Sequence, residues 1–504
     1  MQIAFRVAAA SALVAAASFV LRADAAPPSQ SSDIQLQLAD LLFSEGKFLD
    51  SLDAYRNALK TAPSDGVRRP RMGVIASALR VAEFDLARIE AEKLYQADPK
   101  GPDSMTLYGD ALWSSGLFQE AEDKYHAALI AAPDLARGHH GMARSLAARS
   151  RLEEAMREGQ TALRLSPRDL EIHHTVGTIY ERQHKYEEAA NAFSNYVNLL
   201  PNKDHSEKAD WSRAEIRFLR SFGQRIPFEA DAGTDERLYT VDFRLVNEKV
   251  VVRAKVNDAS AQDFVVDTGS ENTVITRATA QRLGITPVTY TLSAGVGRIG
   301  LRGLQLARID TLELGSLKLK NVPCLIKNPP LRDIPSKETE GLSPLALGYS
   351  MVIDYKTHKL TFGKHIPDEP KDFELPMRLH RLATVLGTVD KNHFANFVID
   401  TGGEVISISS ATASSLGKPE TGRKIALKVY GTSGWDPDAF LMPGVDLLFD
   451  TISYKNFPVV VLNLNAPSAL LGFQLGGIVG HKFLSKYRVG IDLERSVLRL
   501  KNVS

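Results

Sequence analysis

The chain has 504 residues, of which 44% are hydrophobic and 24% are charged, and its formal net charge is +1 at pH 7. This length allows two to four domains, and the near-neutral charge gives no sign of a strongly basic or acidic partner. We find no nucleic-acid-binding motif. The single cysteine, Cys324, excludes an internal disulfide, and its apolar neighbours predict a small buried side chain rather than a catalytic thiol.

Residues 1–25 have the pattern of a secretory signal peptide. Arg6 supplies a positive charge, Val7 to Leu21 form an apolar run, and Ala23-Asp24-Ala25 is a cleavage site of the Ala-x-Ala type. The run has 15 residues, which is short for a membrane span of about 20 residues. We therefore expect a periplasmic or secreted protein with no membrane span after signal cleavage. An uncleaved anchor is the alternative.

Residues 34–201 repeat with a regular period. Prolines follow one another at steps of 36, 34, 34 and 34 residues, and a small side chain stands twelve residues before each. The prolines are Pro63, Pro99, Pro133, Pro167 and Pro201, and the small residues are Ser51, Ala87, Ala121, Ala155 and Ala189. This spacing resembles tetratricopeptide repeats. It predicts a domain at 34–223, with five helical hairpins and a capping helix at 206–222. A generic helical bundle is the alternative.

The resemblance implies a concave groove that binds an extended peptide or a partner protein. A rigid spacer or an oligomerisation surface is the alternative. His139-His140 and His173-His174 occupy first-helix positions of successive repeats, but no cysteine or acidic cluster completes a ligand set. We predict no metal site and no cofactor.

Residues 224–236 have the composition of a linker, and the hydrophobic pattern then changes from period 3.6 to period 2. Runs of Val, Ile, Leu and Thr, separated by Gly, Pro, Asn and Asp, continue to residue 504. This pattern predicts an all-β region after the helical repeats.

Two stretches of this region repeat each other. They are Phe264-Val265-Val266-Asp267-Thr268-Gly269-Ser270 and Phe397-Val398-Ile399-Asp400-Thr401-Gly402-Gly403. An apolar run precedes each stretch, and a β-branched strand and a short Ala-rich helix follow it. Asp-Thr-Gly alone is weak evidence, because these are ordinary turn residues. Two copies with matching flanks indicate a duplicated fold unit that retained the loop.

Two carboxylates that share one proton can act as general base and general acid at the same pH. With this motif twice, residues 237–504 resemble the aspartic peptidases, and more closely the retropepsin-like kind found in retroviruses and bacteria. The resemblance implies two closed β-lobes at 237–365 and 373–504. The predicted fold class is therefore a tetratricopeptide α-solenoid followed by a bilobal all-β aspartic-peptidase domain.

The resemblance also implies roles for the loop residues. Asp267 and Asp400 would share the proton and hold the attacking water, while Thr268 and Thr401 would bond across the axis between the lobes. Gly269 and Gly402 would supply backbone N–H groups. Ser270 could donate a hydrogen bond to Asp267, whereas Gly403 cannot do this for Asp400. That asymmetry predicts that Asp400 holds the proton.

Gly-rich segments of the two lobes are predicted to be flaps over the cleft. Gly297 and Arg298 lie in one, and Tyr430 and Trp435 in the other, as weak candidates for substrate contact. Plain hairpin loops are the alternative.

In the family, a hydrophobic-hydrophobic-Gly segment crosses behind each catalytic loop. Gly477-Ile478-Val479-Gly480 matches it in lobe 2. Lobe 1 offers Gly341-Leu342-Ser343-Pro344, with Pro344 in place of the expected glycine, or else Leu347-Gly348.

The predicted function is an aspartic endopeptidase that hydrolyses a polypeptide substrate with the Asp267/Asp400 dyad, while the repeat domain recruits a protein or peptide. The alternative is a catalytically silent protein that binds a peptide in a degenerate peptidase cleft.

Overall fold

The computed structural model describes residues 28–296, 301–327, 339–417, 425–431 and 434–503. The predicted signal segment and the flap candidates Gly297 and Arg298 lie outside the described residues. No helix within these ranges is both long and apolar enough to span a membrane.

Residues 28–199 form ten consecutive helices that pair into five antiparallel hairpins, here called the solenoid. The helices are α1 (Pro28–Ser44), α2 (Phe48–Thr61), α3 (Arg68–Arg80), α4 (Phe84–Ala97), α5 (Pro102–Ser114), α6 (Phe118–Ala131), α7 (Ala136–Ala148), α8 (Leu152–Leu165), α9 (Leu170–Arg182) and α10 (Tyr186–Leu199). After a 3-10 turn at Lys203–His205, helix α11 (Glu207–Arg220) packs on α10. It lies where a capping helix is predicted.

The small residues of the repeat pattern lie where the hairpins touch. All five, from Ser51 to Ala189, are fully buried. Glycines have the same effect on α5, where a Cβ added to Gly109 would lie 2.6 Å from the ring of Tyr125 on α6. Each small side chain allows two helices to approach closely. The predicted 34-residue repeat of helical hairpins is therefore confirmed.

The solenoid curls until its two ends meet. The Nδ2 group of Asn202 donates a hydrogen bond to the carbonyl of Glu45 over 2.6 Å. A Cβ on Gly46 would lie 3.3 Å from Pro201. Across the interior, Arg80 on α3 forms an ion pair with Glu171 on α9. The predicted groove is therefore bridged by the chain's own side chains.

Lobe 1 is a strongly curved sheet with one short helix. Its elements are β1 (Glu229–Ala230), β3 (Arg244–Val246), β4 (Lys249–Val256), β5 (Gln262–Val266), β6 (Thr273–Ile275), α12 (Arg277–Arg282), β7 (Thr289–Ala294), β8 (Leu301–Leu314), β9 (Leu317–Ile326) and β10 (Glu340–Leu342). Strand β1 comes from the predicted linker and pairs with β9. Cys324 on β9 is fully buried, as predicted.

Lobe 2 repeats this plan. Its elements are β14 (Leu382–Val389), β15 (His393–Ile399), β16 (Ile406–Ser409), α13 (Ser410–Ser415), β17 (Ile425–Ala426), β18 (Val429–Gly431), β19 (Gly434–Asp436), β20 (Phe440–Phe449), β21 (Ile452–Leu462), α14 (Asn465–Leu471), β22 (Gly477–Val479) and α15 (His481–Leu484), with a 3-10 turn at Asp390–Asn392. Each lobe thus carries a short helix after its second core strand, as the duplicated sequence predicts.

Six strands join the lobes in one sheet, here called the bridging sheet. They are β2 (Tyr239–Asp242), β11 (Ser350–Asp354), β12 (Lys359–Gly363), β13 (Phe373–His380), β23 (Tyr487–Asp492) and β24 (Val497–Asn502). The strand order is β13-β24-β23-β11-β12-β2, so each lobe contributes three neighbouring strands. The pair β11–β23, with Met351 opposite Ile491, joins the two halves. One continuous apolar core runs through both lobes and this sheet.

Candidate active site

The two aspartates occupy equivalent places in the lobes. Asp267 follows β5, which lies between β4 and β10, and Asp400 follows β15, which lies between β14 and β22. The N–H of Asp267 donates to the carbonyl of Leu342 over 2.9 Å, and the N–H of Asp400 donates to Val479 over 3.0 Å. Buried strands therefore fix both loops in the same way.

The strand behind the lobe-1 loop departs from the predicted register. Leu342 pairs with Val266 as Val479 pairs with Ile399. Ser343, and not Pro344, therefore stands where lobe 2 has Gly480, and Leu347-Gly348 lies outside this strand. The prediction that Pro344 replaces the glycine is wrong. A three-residue strand carries too little periodicity for its register to be read from sequence.

The loops are joined by their threonines. The hydroxyl of Thr268 donates to the carbonyl of Ile399 over 2.6 Å and accepts from the N–H of Thr401 over 3.1 Å. The hydroxyl of Thr401 donates to Val266 over 2.7 Å and accepts from the N–H of Thr268 over 3.1 Å. Both side chains are buried. The predicted bonds across the axis are present, and they fix one aspartate relative to the other.

Replacing Thr401 by Val is expected to lower the free energy of unfolding by about 3 kcal/mol, because two hydrogen bonds are lost and their buried partners stay unpaired. Thr401→Ser keeps the hydroxyl and is expected to lose much less. Urea denaturation of both variants measures the difference. Equal losses would mean that methyl packing, and not the hydroxyl, holds the loops.

The glycines of the loops leave room for the opposite aspartate. A Cβ on Gly269 would lie 2.7 Å from the Cγ of Asp400, and a Cβ on Gly402 would lie 2.7 Å from the Cγ of Asp267. Their N–H groups serve their own loops, since Gly269 donates to Asp267 over 3.0 Å and Gly402 to Asp400 over 2.9 Å.

The hydrogen bonds around the two aspartates are unequal, but they do not follow the predicted pattern. The hydroxyl of Ser270 donates to the carbonyl of Asn272 over 2.9 Å, so it does not serve Asp267 in this way. Asp400 instead receives a second backbone bond, from the N–H of Gly403 over 2.9 Å. The prediction attributes the difference in hydrogen bonding between the two aspartates to the side chain of Ser270. The backbone after Gly402 creates this difference instead, because it directs a second N–H group at Asp400. The predicted hydrogen bond from Ser270 to Asp267 is therefore wrong, and the backbone donors around Asp400 favour the ionised form of Asp400 rather than its protonated form.

Burial and the neighbouring charge of Asp400 raise the pKa of Asp267 to about 7. Burial also raises the pKa of Asp400, but the N–H groups of Gly403 and Gly402 and a hydrogen bond from Asp267 oppose that rise. The two half-buried carboxyls thus interact directly, and their surroundings favour a proton on Asp267 and a charge on Asp400.

Two lysines near the dyad were not predicted. The charge of Lys249 on β4 opposes the rise in the pKa of Asp400, and the charge of Lys327 opposes the rise in the pKa of Asp267. The ammonium of Lys327 also donates to the carbonyl of Thr339. Each lies far from its aspartate in sequence, and no local motif marks either one.

The flap candidates are placed only in part. Strands β18 and β19 pair Tyr430 with Trp435, whose side chain is partly exposed. Val296, at the end of β7, belongs to the same apolar cluster as Val405 and Ile478 of lobe 2. The described part of the lobe-1 hairpin therefore reaches across to lobe 2.

A second charged group lies at one end of the cleft, here called the junction cluster. Glu271, just beyond the catalytic loop of lobe 1, pairs with Arg381 of lobe 2 over 2.7 Å. Glu271 and, more weakly, the carboxylates of Glu181 on α9 and Glu215 on α11 raise the pKa of the Arg381 guanidinium. Burial and Glu215 raise the pKa of Glu181 to about 8. The repeat domain thus places two carboxyls beside the catalytic loop.

Glu181→Gln is expected to flatten the pH dependence of stability. The pKa of Glu181 in the folded protein lies above its ordinary value of 4.5, so the folded state binds the proton more tightly. Stability is therefore lost as pH rises from about 4.5 through about 8. Urea unfolding at pH 5 and pH 8 measures this, with Glu187→Gln, an exposed side chain on α10, as control. An unchanged pH slope in Glu181→Gln would contradict the assignment.

The histidine pairs lie within the solenoid. His139 contacts Glu158 over 2.6 Å and His140 contacts Thr175 over 2.8 Å. Among the described residues, no group of three or more His, Cys, Asp or Glu side chains is arranged to hold a metal ion.

Residues 252–351 match the family model described as Aspartyl protease. These residues include Asp267 and strands β5 to β10. A search of curated proteins found no match.

Several solved structures are similar to the helical part. The thermophilic TPR protein TTC0263 of Thermus thermophilus is 16% identical, with a TM-score of 0.32 over 37% of this chain and 98% of its own. MamA of Desulfovibrio magneticus RS-1 is 17% identical, with a TM-score of 0.25 over 34% of this chain and 94% of its own. YrrB, described as a TPR protein with an unusual peptide-binding site, is 17% identical, with a TM-score of 0.23 over 33% and 86%.

Fold and site together define a class. The chain joins an array of tetratricopeptide-like hairpins to a two-lobed β region of the aspartic protease-like kind. The family match covers lobe 1, and lobe 2 repeats the loop, the strands around it and the helix that follows.

Proposed function

We propose that the protein is an aspartic endopeptidase in which Asp267 and Asp400 hydrolyse a peptide bond. The observation that carries this proposal is the pair of interacting carboxyls between two loops that Thr268 and Thr401 fix relative to each other. A carboxylic acid and a carboxylate in contact provide acid and base at one pH. The match of residues 252–351 to the aspartyl protease model supports the same chemistry.

The two carboxyls can complete the reaction without a covalent intermediate. Asp400 takes a proton from water, the water oxygen bonds to the substrate carbonyl carbon, and the proton of Asp267 passes to the carbonyl oxygen. The resulting diol then returns a hydroxyl proton to Asp267. Asp400 gives its proton to the amide nitrogen as the carbon–nitrogen bond breaks. The dyad ends in its starting protonation state.

The pH profile of kcat/KM follows from these assignments. Activity needs a proton on Asp267 and none on Asp400. We expect the rate to fall as pH rises through about 7, where Asp267 loses its proton. Because the pKa of Asp400 is also raised above 3.8, the acid limb lies above that value. Initial rates from pH 3 to 9 measure both limbs. A rate that is flat from pH 6 to 9 would contradict Asp267 as the acid.

Cleavage of a mixed peptide library by the full-length protein tests the function itself. Mass spectrometry of the products would show internal cuts, and the pattern on either side of each cut would give the substrate preference. Cuts that persist in both aspartate variants would point to a contaminating protease.

A catalytically silent peptide-binding protein is the second candidate. The observation that favours it is the departure of lobe 1 from its partner, with Glu340 and Ser343 where lobe 2 has Gly477 and Gly480. Retention of peptides on the protein without any cut, at every pH tested, would favour this reading.

The supporting roles are proposed as well. We assign the repeat domain a protein or peptide partner, although the Arg80–Glu171 pair must open before its groove can accept one. On the pattern of residues 1–25, we propose a periplasmic or secreted protein. Fractionation of cells that make the full chain, with the mature N-terminus sequenced, tests the location.

A further inference from the structure

The middle of the solenoid is attached to lobe 2. Trp113 at the end of α5 and Phe118 at the start of α6 are buried in one apolar cluster with Phe473. The rings of Phe118 and Phe473 are 5.0 Å apart, centre to centre. Beside them, the N–H of Gln474 donates to the carbonyl of Ser114 over 2.7 Å. The third repeat is therefore anchored by packing and by a backbone hydrogen bond.

The end of the solenoid is attached to lobe 1 instead. Ile216 on α11 and Phe222 just after it share a buried cluster with Leu306 on β8 and Leu325 on β9. Arg217 donates to the hydroxyl of Thr289 on β7 over 3.3 Å. Strand β7 is the first strand of the hairpin whose end, at Val296, reaches lobe 2. The second anchor thus holds this hairpin at its base.

Between these anchors, the fourth and fifth repeats contact the bridging sheet. The hydroxyl of Ser496, just before β24, donates to the carbonyl of Arg149 over 2.7 Å. Arg182 on α9 donates to the carbonyl of Leu379 on β13 over 3.4 Å. The solenoid therefore lies along both lobes, and its middle and its end are attached to different lobes.

We propose that the solenoid sets the angle between the two lobes, and that the Arg80–Glu171 ion pair sets the curvature of the solenoid. Packed helices move as rigid units, so a change of curvature between the third repeat and α11 must move the two anchors relative to each other. Lobe 1 and lobe 2 follow their anchors, so the outer part of the cleft widens or narrows while the threonine bonds keep the two aspartates together. The inference goes beyond the proposed peptidase, since it holds whether or not the cleft cuts a substrate.

The ion pair is well placed for this role. It joins the second repeat to the fifth, and the Asn202–Glu45 bond also closes the ring, between the first hairpin and the segment after α10. Phe48 also packs against the guanidinium of Arg80, 5.7 Å from the ring centre. A partner that bound in the groove would have to displace this ion pair. Its binding would thereby change the width of the cleft without any contact with the cleft itself.

Distance measurements between spin labels test the inference without any enzyme assay. The native Cys324 is fully buried, so introduced cysteines can be labelled selectively. Asp310→Cys and Lys455→Cys place labels on exposed side chains of lobe 1 and lobe 2. A second pair, Asp50→Cys and Glu187→Cys, reports the distance between the first and fifth repeats from exposed side chains.

Three variants are compared by double electron–electron resonance. Arg80→Glu reverses the charge, Arg80→Glu with Glu171→Arg restores attraction with the charges exchanged, and Arg56→Glu changes an exposed arginine of the first hairpin with only a local partner. We expect Arg80→Glu to shift and broaden both distance distributions by several ångströms. The exchanged pair should return both to the wild-type values, and Arg56→Glu should leave both unchanged.

Two results would overturn the inference. If Arg80→Glu opens the solenoid while the distance between the lobes stays at its wild-type value, curvature and cleft are not coupled. If neither distance responds, the ion pair does not set the curvature. If the exchanged pair restores the wild-type distances, the shifts in Arg80→Glu come from the lost ion pair and not from a general loss of folding.

Discussion

Asp267→Asn and Asp400→Asn are each expected to lower kcat for peptide cleavage by at least about 10³-fold. An amide cannot take a proton from water in place of Asp400, and it cannot pass one to the carbonyl oxygen in place of Asp267. Because the two carboxyls act as one unit, the double variant should lose little more than either single variant. Steady-state cleavage of a fluorogenic peptide measures the three rates.

The control for these variants is Asp263→Asn. Asp263 lies on β5, four residues before Asp267, but its side chain is exposed and pairs with Arg244 over 2.8 Å. We expect this variant to cleave at the wild-type rate. Cleavage that survives in one dyad variant would show that the reaction needs only one carboxyl, which the proposed mechanism does not allow.

Gly402→Ala is expected to lower kcat by about 10²-fold, since displacing a reacting group by about 1 Å costs this much. The added Cβ would lie 2.7 Å from both the Cγ and the Oδ1 of Asp267, closer than real side chains approach. The backbone hydrogen bond from Asp267 to Leu342 keeps Asp267 in place, so the added Cβ must push the two catalytic loops apart. Rate measurements and thermal unfolding separate the catalytic effect from the structural one.

Gly303→Ala is the matched control, because a Cβ at this position of lobe 1 meets nothing within 4 Å. It should match the wild type in rate and in thermal midpoint. A Gly402→Ala enzyme that is as fast as this control would show that the loops have room to separate. The close approach of Gly402 and Asp267 would then have no part in positioning the dyad.

The duplicated loop could be read from sequence because its signal is local. Asp-Thr-Gly, the apolar strand before it and the helix after it lie within about twenty residues in each copy, so strand propensity and turn chemistry are enough to place them. The repeat period of the solenoid was readable for the same reason. Small side chains at fixed spacing directly reflect close helix packing.

The predicted hydrogen bond from Ser270 to Asp267 is wrong for a reason that sequence does not contain. Ser270 suggested a side-chain donor for Asp267, but its hydroxyl bonds to Asn272, while the backbone of Gly403 serves Asp400. Which group donates a hydrogen bond to each aspartate depends on the backbone conformation of the two or three residues that follow it. Residue type alone does not determine that conformation. The same limit applies to Ser343, whose equivalence to Gly480 follows from strand register.

Contacts between the repeat domain and the lobes were not readable at all. Phe118 fills an ordinary repeat position, and Phe473 follows a short helix with no special pattern. Each could have packed within its own domain. Only the three-dimensional structure shows that the two rings pack together and attach the repeat domain to lobe 2.

The order of strands in the bridging sheet has a consequence for how the protein is made. Strand β24 lies between β13 and β23, and β23 joins the half that carries β11. The chain emerges from the ribosome starting at its N-terminus. Both aspartates are therefore synthesised long before the strand that ties their lobes into one sheet. A nascent chain that already contains both loops still lacks strands β23 and β24, which join the two lobes in the bridging sheet. The dyad thus forms only after residues 487–502 have been made, when the solenoid against which both lobes pack already exists.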